Sequence, residues 1–193
     1  MSVQPQSRFV VVTGGPGAGK TTLIEQLRRE RFACAPEGGR AIIQDQVAIG
    51  GEALPWRDAG LFAELMLGWD LRSYRHTTEY GAAGNTPVFF DRGVVDVIGY
   101  LRLMRLPVPP HLHAAAQRFR YDRRVFVAPH WPEIYRRDDD RRQTPEEAER
   151  TFHACVAAYT DYGYEPVLLP RAGVAERARF VLDAIGHGTQ KTR

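Results

Sequence analysis

The sequence predicts a single α/β domain, built on a five-stranded parallel sheet with helices on both faces. Five short apolar segments alternate with stretches of helical periodicity along the 193 residues, a pattern typical of parallel sheets that are covered on both sides. A glycine-rich turn separates the first apolar segment from the first helix. We expect one domain over residues 1–186 and a disordered tail over residues 187–193.

The glycine-rich turn carries the most specific pattern in the chain. Phe9–Thr13 is the predicted first strand and Lys20–Arg31 the predicted first helix, and G-x-x-x-x-G-K-T spans Gly14 to Thr21 between them. Backbone N–H groups in such a loop, with the helix N-terminus behind them, bind the phosphates of a nucleotide. The predicted ATP-binding residues of this loop are Gly15, Gly17, Ala18, Gly19, Lys20, Thr21 and Thr22.

Lys20 stands out against the composition of the chain. Of 26 Lys and Arg residues, only Lys20 and Lys191 are lysines. An ammonium is a compact point charge that fits between phosphate oxygens, whereas a guanidinium is broader. We therefore expect Lys20 to reach the β and γ phosphates of ATP, and the Thr21 hydroxyl to bind Mg²⁺.

The rest of the chain continues the alternation of strands and helices. The further predicted strands are Arg31–Ala35, Pro87–Phe90, Arg124–Ala128 and Tyr164–Leu169, and the further predicted helices are Ala41–Ile49, Asp58–Tyr80, Val94–Met104, His111–Arg120, Thr144–Tyr162 and Val174–Ile185. In open parallel sheets, ligands bind at the carboxyl ends of the strands. The residues directly after each strand are therefore the candidates for chemistry.

Acidic residues follow the second and third strands. Glu37 follows strand two and is positioned to accept a proton from an attacking hydroxyl, although a solvated loop acid would have the same pattern. Asp91 ends strand three, where a carboxylate can hold a magnesium-bound water, and Arg92 follows it. Arg92 is predicted to bind the substrate or the charge that develops on the phosphoryl group; the alternative is an ion pair that ends the strand.

Arginines follow the fourth and fifth strands. Four arginines bracket three aspartates in "YRRDDDRRQ", and planar guanidinium groups are suited to clamp a phosphoryl group from a closing lid. Arg137 and Arg141 are the predicted phosphoryl contacts, and Arg137 is also a predicted ATP contact; a solvated mixed-charge run is the alternative. Arg171 follows strand five, where it either stacks on the nucleotide base or simply leads into the last helix.

Two classes of nucleotide-hydrolysing protein fit the sequence poorly. A Ras-like GTPase reads guanine with N/T-K-x-D, and no second lysine lies in the body of the chain. A water-activating ATPase usually ends its third strand with Asp-Glu, and here the pair is Asp91-Arg92. An acid at Glu37 and an arginine-rich lid instead suit phosphoryl transfer to an organic acceptor with water excluded.

The segments "PEGGR", "FFDRG", "VFVAPHWPEIYRRDDDRRQT" and "YTDYGYEPVLLP" resemble an AAA-type P-loop domain family. That family includes a nicotinamide riboside kinase domain, and deoxynucleoside kinases are a more distant likeness. The resemblance implies a three-layer P-loop NTPase fold with the strand order 2-3-1-4-5, a general base at Glu37 and a phosphate contact at Arg92. The chain departs from deoxynucleoside kinases at Asp91, at Gly93 and at Trp69-Asp70, where those kinases carry Glu, Ser and a base-reading Gln.

The expected function is ATP-dependent transfer of the γ-phosphoryl group to a hydroxyl of a nucleoside, a riboside or a similar metabolite. One alternative is a nucleoside monophosphate kinase, whose phosphorylated acceptor needs extra cations such as Arg40, Arg57, Arg72 and Arg75. Another is a regulatory module that binds or hydrolyses ATP without a small-molecule acceptor. The expected cofactors are ATP and Mg²⁺.

Composition limits the partners of the chain. The net charge is +3, which is too small to predict nucleic-acid binding. No apolar run approaches the roughly 18 residues of a membrane span. Cys34 and Cys155 have no metal-binding spacing, and we expect them to be reduced thiols in a cytoplasmic protein. The predicted partner is a small-molecule acceptor, and the predicted state is a monomer or a homodimer.

Overall fold

A computed structural model describes residues 9–80, 86–131 and 144–187. The strands in these residues are β1 (Phe9–Gly14), β2 (Ala33–Ala35), β3 (Val88–Asp91), β4 (Arg124–Ala128) and β5 (Glu165–Leu168). The helices are α1 (Lys20–Arg29), α2 (Gly39–Ile49), α3 (Ala59–Tyr80), α4 (Val94–Leu103), α5 (Pro110–Arg118), α6 (Pro145–Asp161) and α7 (Val174–Ala184).

The strands form one parallel sheet in the order β2-β3-β1-β4-β5. The predicted fold class and the strand order implied by the resemblance are both confirmed. The central strand β1 pairs with β3 on one side and with β4 on the other. Strands β2 and β3 therefore lie on one side of β1, and strands β4 and β5 lie on the other side. A crevice opens at the carboxyl end of the strands at such a point, and the glycine-rich loop follows β1 there.

Two apolar cores cover the two faces of the sheet. Successive side chains of a strand point to opposite faces, and in β1 Val11 packs toward α3, α4 and α6 while Val10 and Val12 pack toward α1 and α7. Phe90 and Phe89 of β3 divide in the same way. Burial on both faces explains why the strands are continuous apolar runs in the sequence.

Several boundaries differ from the predicted ones by a few residues. Helix α1 ends at Arg29 instead of Arg31, because Arg31 takes a left-handed φ of 69° that a helix cannot continue. Strand β2 is correspondingly shorter than predicted. At α6 the predicted start is confirmed, since the Thr144 hydroxyl accepts a hydrogen bond from the Glu147 backbone N–H at 3.2 Å in a capping box.

Across residues 9–80, 86–131 and 144–187, no helix combines the length and the apolarity that crossing a membrane requires.

Candidate active site

The loop between β1 and α1 has the backbone shape of a phosphate-binding loop. Gly14 has a φ of +129°, and a Cβ there would lie 2.4 Å from the Ala128 carbonyl oxygen of the neighbouring strand. Gly19 takes a left-handed φ of 76° directly before α1. Successive N–H groups in such conformations form a concave anion site at a helix N-terminus. The predicted residues Gly15, Gly17, Ala18, Thr21 and Thr22 all lie in this loop or in the first turn of α1.

Lys20 is folded back over this loop. Its Nζ donates hydrogen bonds to the carbonyl oxygens of Gly15 at 2.7 Å and Gly14 at 3.1 Å, and the side chain is 6% exposed. Burial, followed by the nearby Arg92 guanidinium, lowers the pKa of Lys20 from 10.5 to about 8. Among the described residues, the hydrogen bonds of the ammonium are those to the Gly14 and Gly15 carbonyls, and in this position it can exchange those acceptors for phosphate oxygens.

Asp91 lies at the carboxyl end of β3, opposite Val12 of β1 in the register of the sheet. Its Oδ1 atom is buried and accepts no hydrogen bond within the part of the chain that the structure describes. Burial, with the Glu37 carboxylate, raises the pKa of Asp91 from 3.8 to about 6. A buried carboxylate oxygen without a donor fits the water shell of Mg²⁺, which is bound through few protein ligands and several waters.

Glu37 and Arg92 form an ion pair that sequence analysis did not anticipate. Arg92 Nε donates to Glu37 Oε1 at 2.8 Å, and both side chains are partly buried. Burial alone would lower the pKa of Arg92, but the Glu37 and Asp96 carboxylates raise it well above its usual value. Arg92 also has a left-handed φ of 72°, and its backbone N–H donates to the Val12 carbonyl at 3.0 Å. Backbone conformations of this kind concentrate at functional sites.

Asp96 holds Arg92 from the other side, and sequence analysis missed it. Arg92 Nη1 donates to Asp96 Oδ1 at 3.1 Å, and the Thr13 hydroxyl of β1 donates to the same oxygen. Asp96 Oδ2 accepts from the Tyr159 hydroxyl at 2.7 Å and the Gly93 backbone N–H at 3.0 Å. An acid three residues after Gly93 indicates a helix cap, but nothing in the sequence signals its contacts with Thr13 and Tyr159.

The turn that carries Glu37 is fixed by helix α3. Trp69 Nε1 donates to the Pro36 carbonyl oxygen at 3.1 Å. A Cβ on Gly38 would lie 2.4 Å from the Trp69 ring, so only glycine allows this approach. Glu37 therefore lies between the indole that holds its turn and the guanidinium that binds its carboxylate.

A cavity of about 700 Å³ opens beside these residues. The ionisable side chains in its lining are Lys20, Glu37, Arg40, Asp70, Arg92, Asp96, Glu147 and Arg150. The apolar side chains in its lining include Ile43, Val47, Pro55, Trp56, Phe62, Met66, Leu103 and Met104. The phosphate loop and the proposed proton acceptor thus share one cavity, with room for a small organic molecule.

The structure describes one of the three arginines that were predicted, after strands four and five, to contact ATP or its phosphoryl group. Arg137 and Arg141 lie outside the described residues. Arg171 is exposed, and its Nη2 donates to the His130 carbonyl at 3.0 Å. Arg177, which sequence analysis did not select, donates from Nη1 to the carbonyls of Ala18 and Gly19 at 3.4 Å each. Arg177 therefore contacts the phosphate loop from α7.

The parallel sheet, its strand order and the loop after β1 define a P-loop fold. A family model described as "AAA domain" matches residues 9–177. The chain belongs to this AAA domain family. A search of curated proteins found no match.

Several solved structures share the fold. NadR protein in complex with NR is 22% identical, with a TM-score of 0.68 over 96% of this chain and 52% of NadR. Thymidylate kinase from Ehrlichia chaffeensis is 13% identical, with a TM-score of 0.63 over 94% of this chain and 100% of that kinase. Deoxyadenosine kinase from M. mycoides is 10% identical, with a TM-score of 0.65 over 92% and 98%. The chain spans about half the length of NadR.

Proposed function

We propose that this chain is an ATP-dependent small-molecule kinase, which transfers the γ-phosphoryl group of ATP to a hydroxyl of a nucleoside, a riboside or a similar metabolite. The observation that carries the proposal is the shared cavity, which Lys20 of the phosphate loop and Glu37 both line. A carboxylate facing a phosphate loop across a cavity is suited to take a proton from an acceptor hydroxyl.

The loop residues bind the donor nucleotide in this proposal. Backbone N–H groups from Gly15 to Thr21 receive the phosphates, and Lys20 neutralises the β and γ oxygens. Thr21 and Asp91 would hold Mg²⁺, which when bound neutralises charge on the phosphate oxygens. Arg171, held by the His130 carbonyl, is proposed to lie beside the base.

The transfer step follows from the arrangement around Glu37. The acceptor oxygen attacks the γ phosphorus as its proton passes to the Glu37 carboxylate. The bond between the γ phosphorus and the β–γ bridging oxygen breaks, and its electron pair leaves with ADP. Arg92, which Glu37 and Asp96 hold in place, stabilises the charge on the phosphoryl oxygens. We propose that Arg137 and Arg141 clamp the same group.

The structural likenesses support this class of reaction. NadR was solved with NR bound, and deoxyadenosine kinase is named for a nucleoside acceptor. Because the likenesses show the fold and not the chemistry, the activity proposed for this chain depends on its own cavity. Glu37 in that cavity is the residue that a kinase with a hydroxyl acceptor needs and a simple nucleotide-binding module does not.

A nucleoside monophosphate kinase is the second candidate. Arg40 lines the cavity and is a cation of the kind that binds a phosphorylated acceptor, and thymidylate kinase shares the fold. The other arginines suggested by the sequence offer less support. Arg57 pairs with Glu52 at 3.0 Å, and Arg75 Nε donates to its own helix at the Leu71 carbonyl.

A panel assay separates these candidates. Purified protein with Mg-ATP is given nucleosides, other ribosides, sugars or nucleoside monophosphates, and ADP formation is measured. The proposal predicts stimulation by a hydroxyl acceptor, and a loss of about 10²–10⁴-fold in kcat for Glu37→Gln with ATP affinity retained. Stimulation by a monophosphate, with the rate unchanged by Glu37→Gln, would favour the second candidate. No stimulation by any compound would favour a module without an acceptor.

A further inference from the structure

Arg177 is a buried cation that the proposed transfer step does not use. It lies in the first turn of α7, and it is 5% exposed. Ala178 and Val181 of the same helix pack into the apolar core with Leu23 of α1. Arg177 therefore carries its charge into the region between two packed helices, whereas most arginines lie at the surface.

The guanidinium of Arg177 has no acidic partner among residues 9–80, 86–131 and 144–187. Its Nε atom is buried and makes no hydrogen bond to these residues, and the neighbouring acid Glu176 is exposed and forms no ion pair with it. The guanidinium carbon lies 5.8 Å from the centroid of the Trp131 ring, which gives a weak cation–π contact. Burial lowers the pKa of Arg177. Folding thus buries a charge that the described residues do not neutralise.

This charge lies near the N-terminal ends of two helices. Arg177 belongs to the first turn of α7, and it contacts Gly19, which is the N-cap of α1. The N-terminus of a helix carries a partial positive charge, so that a cation there is unfavourable and an anion is favourable. Two helix ends and one guanidinium therefore concentrate positive charge at the phosphate loop, and an anion bound in the loop would relieve their repulsion.

Arg177 reaches the phosphate loop through two peptide groups. Its Nη1 atom donates to the carbonyl oxygens of Ala18 and Gly19 at 3.4 Å each. The Ala18 carbonyl shares a planar peptide group with the Gly19 N–H, and the Gly19 carbonyl shares one with the Lys20 N–H. A cation at the carbonyl end of a peptide group makes the N–H at its other end a stronger hydrogen-bond donor. Both N–H groups lie in the part of the loop that is proposed to receive the phosphates.

We propose that Arg177 is a positioning residue for the donor nucleotide, which orients and polarises from behind the loop the two peptide groups whose N–H groups bind the phosphates. This inference rests on the phosphate-loop part of the proposed function and on no property of the acceptor. Arg177 acts through the backbone and does not touch the phosphates itself. The ligands that it favours are polyphosphates, because a nucleoside without phosphate offers no anion to those N–H groups.

Binding measurements with a series of ligands test this inference. The probes are AMP-PNP, ADP and adenosine, each with Mg²⁺, and inorganic tripolyphosphate, which has no base; titration calorimetry on the full chain gives each Kd. Arg177→Met removes the charge and keeps a similar side-chain length, whereas Arg177→Lys keeps the charge. Arg179→Met is the matched control, since it removes an exposed arginine from the same helix and changes the net charge equally.

The expected loss follows the phosphates. Arg177→Met should raise the Kd of AMP-PNP and of tripolyphosphate about 10-fold or more, because a nearby positive charge is lost from a site that binds anions. Arg177→Lys should restore most of this affinity, and Arg179→Met should behave as wild type. The affinity for adenosine should be the same in all four proteins.

Thermal unfolding of the free proteins separates this role from simple packing. Arg177→Met should melt at the wild-type temperature or higher, because an apolar side chain replaces a buried charge that lacks an acidic partner. The Gly19 carbonyl keeps its hydrogen bond from the Leu23 backbone N–H at 3.2 Å. Retained stability together with weaker polyphosphate binding is not expected of a residue that only packs between α1 and α7.

Four results would overturn the inference. The first is an unchanged Kd of AMP-PNP and tripolyphosphate in Arg177→Met, and the second is an equal loss in Arg177→Met and Arg177→Lys, which would indicate packing. The third is weaker binding of adenosine with tripolyphosphate binding retained, which would indicate a contact to the base. The fourth is a markedly lower melting temperature of free Arg177→Met, which would make Arg177 a structural residue.

The same measurements distinguish this inference from the kinase proposal. If wild type binds AMP-PNP and tripolyphosphate in the expected pattern but no acceptor stimulates turnover, the kinase proposal fails and the role of Arg177 stands. If wild type binds neither AMP-PNP nor tripolyphosphate, the phosphate-loop assignment fails and the role of Arg177 fails with it.

Discussion

At the residue scale, the candidate site shifts the pKa values of two ionisable groups toward neutrality. Burial lowers that of Lys20 to about 8 and raises that of Asp91 to about 6. Both groups are buried at the phosphate loop and at the strand beside it. Shifts of this kind are typical of groups that exchange protein or water contacts for a charged ligand.

Lys20→Ala should abolish ATP turnover while leaving the fold intact. Lys20 Nζ contacts only the Gly14 and Gly15 carbonyls in the described structure, and both are loop groups beside the cavity that water can reach once the side chain is removed. The melting temperature of the free protein should stay within about 3 °C of wild type. Full turnover in a stable Lys20→Ala protein would disprove the phosphate-loop assignment.

Mg-ATP affinity should depend on pH through Asp91. Its pKa is raised to about 6 in the folded protein, so it holds a proton below that pH and can support a cation only above it. Mg-ATP affinity should therefore increase as pH rises through about 6, by up to about 10-fold per pH unit on the acid side.

The control for this pH dependence is Asp91→Asn, which retains the titration of ATP itself. Subtracting its pH profile isolates the contribution of Asp91. ATP measured with a chelator should show no such difference between the two proteins. Superimposable wild-type and Asp91→Asn profiles would remove Asp91 from the proposed metal site.

At the scale of elements, three segments position the site. The turn after β2 carries Glu37, and the turn after β3 carries Arg92. Asp96 is the third residue of helix α4. Helix α3 then holds the first of these turns through Trp69. Long-range hydrogen bonds of the site, from Trp69 to Pro36, from Arg92 to Glu37 and from Thr13 to Asp96, join residues 33, 55 and 83 positions apart in the sequence. The site therefore exists only after the sheet has assembled.

Gly38→Ala should displace Glu37 without disturbing the phosphate loop. Its Cβ would lie 2.4 Å from the rigid Trp69 ring, so the turn must move. We expect kcat with a hydroxyl acceptor to fall about 10-fold or more, while the Kd for AMP-PNP stays near wild type.

Gly68→Ala is the matched control, one position before Trp69 in α3. A Cβ there meets nothing within 4 Å, and alanine favours an exposed helix by about 0.5–1 kcal/mol. This variant should be slightly more stable and fully active. An equal loss of activity in both variants would mean that α3, and not the close approach at Gly38, controls the site.

At the scale of the whole molecule, the sheet brings the phosphate loop and the neighbouring cavity to one edge. The phosphate loop lies at the carboxyl end of the central strand, and the turns after β2 and β3 line the cavity beside it together with α2, α3 and α4. This cavity is the proposed acceptor side. Helix α6 closes against the loop, since a Cβ on Gly15 would lie 2.4 Å from the Ala148 carbonyl oxygen. In the proposed kinase, donor and acceptor would therefore share one cavity.

The features that the sequence predicts correctly are local ones, and the contacts that it does not predict join distant residues. The phosphate loop is a local pattern, and the strands are local apolar runs, so both were recognisable along the chain. Glu37 and Arg92 were each selected because they follow a strand, but their ion pair spans 55 positions and leaves no local signal. Asp96 was missed for the same reason, since its partners Thr13 and Tyr159 come from β1 and α6.

The central claim is that the phosphoryl group passes to an organic hydroxyl and not to water. The most direct measurement incubates the protein and Mg²⁺ with ATP labelled in its γ phosphate and with each acceptor of the panel, then separates labelled organic phosphate from labelled inorganic phosphate. We predict that with the right acceptor most label appears in an organic phosphate ester, and that Glu37→Gln suppresses this product. Label found only in inorganic phosphate, at a rate that no acceptor changes, would contradict it.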